Sequence, residues 1–101
     1  MFRETYYSVD DFNLFLKENK TLFFDTLINS IKENINNDEI ILKIADIEII
    51  KEDCILDISI DKTDCSETLE LAKEHYIKME QYEKCIDIDN IDNKLKDLFN
   101  I

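Results

Sequence analysis

Residues 47–64 read IEIIKEDCILDISIDKTD. Apolar and polar residues alternate on either side of Lys51-Glu52-Asp53-Cys54, the pattern of two half-buried strands joined by a turn. The stretch carries six carboxylates against two lysines and has no glycine at its turn. A tight Glu-Asp turn would need positive φ at Glu52, which glycine or asparagine tolerates better. A four-residue loop around a right-handed turn avoids that strain. Either loop sets Ile50 opposite Ile55, Ile49 opposite Leu56, Glu48 opposite Asp57 and Ile47 opposite Ile58. One face then holds Ile47, Ile49, Leu56 and Ile58. The other holds Asp46, Glu48, Ile50, Ile55, Asp57 and Ser59, with Asp61 following. Like charges placed opposite each other cost up to ~1 kcal/mol, a cost that a basic partner would reverse.

Upstream of the hairpin, Ile40, Leu42 and Ile44 share one parity and Ile47 and Ile49 the other. Either two strands meet near Ala45-Asp46 or a bulge there switches the faces. Phe2–Tyr7 suits a short strand. Ser8 and Asp11 form a capping box for a helix over 9–18, with Phe12, Phe15 and Leu16 as its apolar stripe. Thr21 suits the cap of a second helix, over 22–35, whose stripe is Phe24, Leu27, Ile28, Ile31 and Ile35. Asp64 and Glu67 suit the start of a third helix, with Leu69, Ala72, Tyr76, Met79 and Tyr82 inward and Leu71 beside them, running to about Lys84. Asp87-Ile-Asp-Asn90 reads as a turn before a short last helix carrying Ile91, Leu95, Leu98 and Phe99. The fold class is α+β: a small antiparallel sheet, the hairpin at about 39–61, packed on one face against about four helices.

A chain of 101 residues is expected to form a single domain over 1–101. Apolar residues make up 45%, enough for a core, and no apolar run approaches the ~20 residues that span a bilayer. With no basic-then-apolar leader in MFRETYYSVDDF, a cytosolic protein is the expectation. Cys54, Cys65 and Cys85 have neither disulfide-framework nor zinc spacing, so reduced thiols are expected.

No catalytic, cofactor or metal motif is present, so a non-enzymatic protein is expected. Asp57-x-Ser59-x-Asp61 opens like a calcium loop but has Lys62 where glycine and Thr68 where glutamate are required. Glu74-His75 has Leu71 where a zinc protease needs its second histidine. Cys65 would sit among Asp61, Asp64 and Glu67, which disfavour a thiolate.

The formal net charge is -12. Nine acids and two lysines lie between Asp46 and Glu70. Such a chain repels free nucleic acid and anionic membrane and attracts basic protein surfaces. The expected protein-binding set is Asp46, Glu48, Ile50, Glu52, Asp53, Ile55, Asp57, Asp61, Asp64, Glu67 and Glu70. The same charges would also keep an isoleucine-rich sheet from pairing edge to edge, and an open edge would allow a homodimer.

Glycine and proline are absent and arginine occurs once, the usage of AT-rich coding. Small size, this composition and the acidic 46–70 segment together resemble the small inhibitors encoded by phages and mobile elements, of anti-CRISPR and anti-restriction type, some of them DNA mimics. The resemblance implies a protein acting in the host cytoplasm. Its partner would be a basic nucleic-acid-binding effector or nuclease, blocked by occupying its nucleic-acid site. A toxin immunity protein blocking a basic nuclease, or a small assembly subunit of a phage complex, are the other classes the charge and size admit.

Overall fold

Leu42 and Ile44 have one parity, Ile47 and Ile49 the other, and a single strand buries all four. A bulge makes this possible: pairing with the next strand runs to Lys43, skips Ile44 and resumes at Ala45. Of the two readings the sequence left open, the bulge is the one adopted. The computed structural model describes residues 2–100. Its elements are β1 (Phe2–Tyr6), α1 (Val9–Glu18), α2 (Lys20–Asn34), β2 (Ile41–Ile49), β3 (Cys54–Asp61), α3 (Ser66–Lys78) and α4 (Tyr82–Phe99). The α+β class and the helical cover on one sheet face are as expected.

The sheet departs from a pure hairpin. Its order is β1-β2-β3, and β1 lies parallel to β2, with Phe2 beside Ala45 and Tyr6 beside Ile49. A parallel pair needs a long crossover, and α1 and α2 supply it.

The hairpin register also differs. Ile49 pairs with Cys54, Glu48 with Ile55, Ile47 with Leu56 and Asp46 with Asp57. The loop is Ile50–Asp53, one residue earlier than expected, closed by the Asp53 amide donating to the Ile50 carbonyl at 3.1 Å with φ 46° at Asp53. β1 helps to set this position. The amides of Ile50 and Lys51 donate to the carbonyls of Tyr6 and Tyr7, at 3.0 and 2.8 Å, and so turn away from β3. A slip of two residues preserves the side-chain faces, whereas a slip of one would invert them. Ile47, Ile49, Leu56 and Ile58 therefore still point toward the helices, and Glu48, Ile55, Asp57 and Ser59 toward solvent.

Two apolar clusters fill the space under the sheet. Phe12 of α1 packs with Ala45, Ile47 and Ile49, flanked by Tyr6 and Leu56. The larger cluster joins Leu27, Ile28 and Ile31 of α2 to Leu42, Ile44 and Ile60 of the sheet and to Leu69, Ala72, Tyr76, Ile88, Ile91 and Leu95 of α3 and α4.

The helix boundaries bring further corrections. Ser8 caps α1 by accepting from the Asp11 amide at 3.2 Å, as the capping box predicts. Thr21 does not cap α2: it lies inside the helix, and Asn19 holds the N-cap position. Cys65, not Asp64, holds the N-cap position of α3. That helix ends at Lys78, not near Lys84. The Gln81 amide donates to the Tyr76 carbonyl at 2.8 Å and the Glu80 amide to the Ile77 carbonyl at 3.0 Å, with φ 58° at Glu80. This is a Schellman stop with glutamate where glycine is usual. Met79 and Tyr82 fall at or beyond the stop, and they and Leu71 are exposed instead of forming the core face. The string Asp87-Ile-Asp-Asn90 is helical, not a turn. Cys85, Ile88, Ile91 and Leu95 make one continuous buried stripe, while Asp87 and Asp89 reach outward to Lys32 and Lys73.

Candidate protein-docking face

The sheet face turned away from the helices presents Lys43, Asp46 and Glu48 from β2 and Ile55, Asp57 and Ser59 from β3. Arg3 and Thr5 of β1 stand in register beside Asp46 and Glu48. Asp46 and Asp57 are the acids that face each other, not Glu48 and Asp57. The bulge places Lys43 on this face, where its Nζ lies 2.8 Å from Asp46 Oδ1 and 3.6 Å from Asp57 Oδ2. One ammonium thereby bridges the pair. The hydrogen bond to Asp46 raises Lys43 above the ordinary lysine value. Ser59 Oγ donates to Asp57 Oδ1 at 2.6 Å, and that bond, with Lys43 beside it, holds the Asp57 carboxyl below the usual range.

Asp61 is likewise engaged. Its Oδ1 accepts from the Thr63 amide at 2.8 Å and from the Thr63 hydroxyl at 2.7 Å, which lowers its pKa. An aspartate that closes its own turn in this way offers less to a partner than a free one. The central acids of the expected set are therefore occupied within the molecule.

The hairpin tip differs. Among the described residues, Glu48, Glu52 and Asp53 have no ion-pair partner. Glu48, Ile50, Asp53 and Ile55 line one hollow with Ile49 and Cys54, about 440 Å³ in volume. Ile50 and Ile55 are 56% and 60% exposed. The register correction tightens this cluster, because Glu48 and Ile55 are direct cross-strand neighbours.

Asp64, Glu67 and Glu70 do not join the open face. Asp64 lies in the turn after β3, and Glu67 and Glu70 are exposed on α3, whose Leu69 and Ala72 belong to the larger apolar cluster on the other side of the sheet. The expected set thus splits into a tip, a bridged mid-sheet pair and a helical group. The Cys65 thiol is buried, and burial, with Asp92, Asp61 and Asp64 nearby, pushes it up to about 11. Such a thiol is a poor nucleophile. No set of three or more ligand-type side chains among the described residues is arranged to hold a metal, and no helix among them is long and apolar enough to cross a membrane.

The expected set lacked Arg3 and Lys43. The signal for Lys43 was parity, since a bulge at Ile44 puts it on one face with Asp46, whereas Arg3 is brought there by the parallel register of β1. Comparison with family models, with curated proteins and with solved structures finds no match.

Proposed function

We propose that this protein is a non-enzymatic binder that docks the hairpin tip on a basic surface of a nucleic-acid-handling protein and blocks it. One observation carries the reading: Glu48 and Asp53, two carboxylates with no ion-pair partner among the described residues, share a hollow with the exposed Ile50 and Ile55. Lysine and arginine have an apolar stem and a charged head. An isoleucine wall ending in carboxylates complements both parts. The net charge of -12 steers the encounter toward basic surfaces and away from free nucleic acid. The class this favours is a stoichiometric inhibitor of a host-defence effector, acting by occupation of its nucleic-acid site.

The test is capture from a host lysate at low and high salt, with the captured proteins identified by mass spectrometry. A basic nucleic-acid-binding protein held at low salt and released at high salt supports the reading. Failure to capture one, or capture indifferent to salt, sinks it. Joint replacement Glu48→Lys and Asp53→Lys should abolish capture, while Glu67→Lys with Glu70→Lys should leave it intact.

A further inference from the structure

On the helical side of the molecule, away from the hairpin tip, the charge pattern reverses. A groove of about 350 Å³ runs between the α1–α2 junction and α3, and Lys17, Lys20 and Lys78 line it together with His75, Phe23 and Phe24. Among the described residues that line it, Glu74 is the only one with a carboxylate. This is unexpected in a chain with twice as many acids as bases. Five lysines, Lys32, Lys43, Lys73, Lys84 and Lys96, are ion-paired, and Lys62 is buried on Asn37. Of the remaining five, three meet in this one groove.

Helix electrostatics explain only part of the cluster. Lys17 and Lys78 occupy the last turns of α1 and α3, where a cation is favoured. Lys20 opens α2, the end where a cation is disfavoured, and no acid in that first turn offsets it. The walls are fixed independently of the lysines. Thr21 Oγ1 lies 2.7 Å from His75 Nε2, and the His75 and Phe24 rings are 5.3 Å apart. Phe23 packs edge-on against Phe24 at 5.7 Å.

The geometry points to a nucleotide site: a base beside the Phe23, Phe24 and His75 rings, which are inclined to one another by 63° and 39°, and phosphates among Lys17, Lys20 and Lys78. Lysine binds phosphate as a point charge, and aromatic side chains hold any base through its π-face. The volume falls at the small end of ligand pockets, which begin near ~300 Å³, a size suited to one nucleotide and not to a long strand. Inorganic polyphosphate would satisfy the lysines alone and a nucleoside the wall alone, so the site is distinguished by needing both.

Titration of the full chain with adenosine triphosphate, adenosine and inorganic triphosphate, followed by amide chemical shifts, tests this. The nucleotide should saturate with a Kd on the order of 0.1–1 mM, with shifts concentrated at residues 17–24 and 71–78. Adenosine and triphosphate should each bind about tenfold more weakly or worse. Lys20→Glu with Lys78→Glu should weaken nucleotide binding by about tenfold or more, whereas Lys51→Glu with Lys94→Glu, the same charge change elsewhere, should not. Three results would each overturn the assignment: no saturable binding by the nucleotide, shifts scattered over the surface, or triphosphate binding as tightly as the nucleotide. None of these outcomes depends on the hairpin tip or on its partner.

Discussion

The Tyr76 hydroxyl donates to Asp25 Oδ1 at 2.6 Å, across 51 positions of the chain. Lys84 reaches the same oxygen at 3.3 Å and lies over the Tyr76 ring, 5.9 Å from its centroid. One carboxylate thus ties α2 to α3 and α4. Burial first, and the Asp25 contact second, raises the Tyr76 phenol well above its ordinary value of 10.0. The folded state therefore holds this proton where the unfolded chain releases it. The stability so contributed is complete below about pH 10 and is lost as pH rises beyond it, by up to ~1.4 kcal/mol per pH unit. Tyr6, also raised, slopes the same way. Tyr76→Phe should cost about 1–3 kcal/mol at pH 7 and flatten the alkaline slope relative to wild type. Urea denaturation between pH 7 and 11 reads both effects.

Glu80 holds a left-handed backbone at φ 58° to close the Schellman stop between α3 and α4. That conformation costs a residue with a Cβ roughly 1–2 kcal/mol. Glu80→Gly should therefore raise stability by about 1 kcal/mol, despite the greater freedom glycine gives the unfolded chain. Thermal and urea unfolding of the two proteins would show it; an unchanged or lowered midpoint would mean that the strain is relieved elsewhere.

Asp57 owes its lowered pKa first to Ser59 and then to Lys43. Ser59→Ala and Lys43→Ala should each shift the Asp57 titration upward, as followed by carboxyl-carbon NMR. Since folding lowers this pKa, the associated stability is present above the ordinary carboxylate range and is lost as pH falls through the folded value. The acid slope of stability that Asp57 contributes should flatten in both variants, because its folded and unfolded pKa values draw together. The Lys43→Ala difference should shrink in high salt.

Lys62 is fully buried, and its ammonium donates to Asn37 Oδ1 at 2.8 Å and to the Asn37 carbonyl at 3.1 Å. No carboxylate pairs with it among the described residues. Asn37→Ala removes one acceptor from a buried charge and should cost about 1–3 kcal/mol. Lys62→Met removes the charge and keeps the bulk, and it should cost less or even stabilise. Denaturant midpoints of the pair give the order.

The faces of the hairpin were legible because parity survives a slip of two residues, and so Ile55 was correctly placed in solvent despite the wrong partner. The bulge was legible as a choice, but its position at Ile44 was not. Lys43 consequently went unrecognised as the bridge between Asp46 and Asp57. The α3–α4 stop was hidden because Glu80 does what glycine ordinarily does. Asp87-Ile-Asp-Asn90 imitated a turn because its outward positions are polar, although Ile88 continues the buried stripe. The five residues of β1 could pair on either side and in either direction, and nothing local in them decides between these. The lysine groove joins residues 17–24 to residues 71–78, contacts that no local pattern reveals.

The parallel pairing of β1 with β2 sets a contact between Phe2 and Ala45, and pairings so distant in sequence raise contact order and slow folding. β2 and β3 can zip from a four-residue loop, but β1 has no strand to join until the whole α1–α2 crossover and β2 exist. Until then β2 shows a bare edge rich in isoleucine, open to another chain. The shortest strand of the sheet therefore guards its most adhesive border, and it does so last.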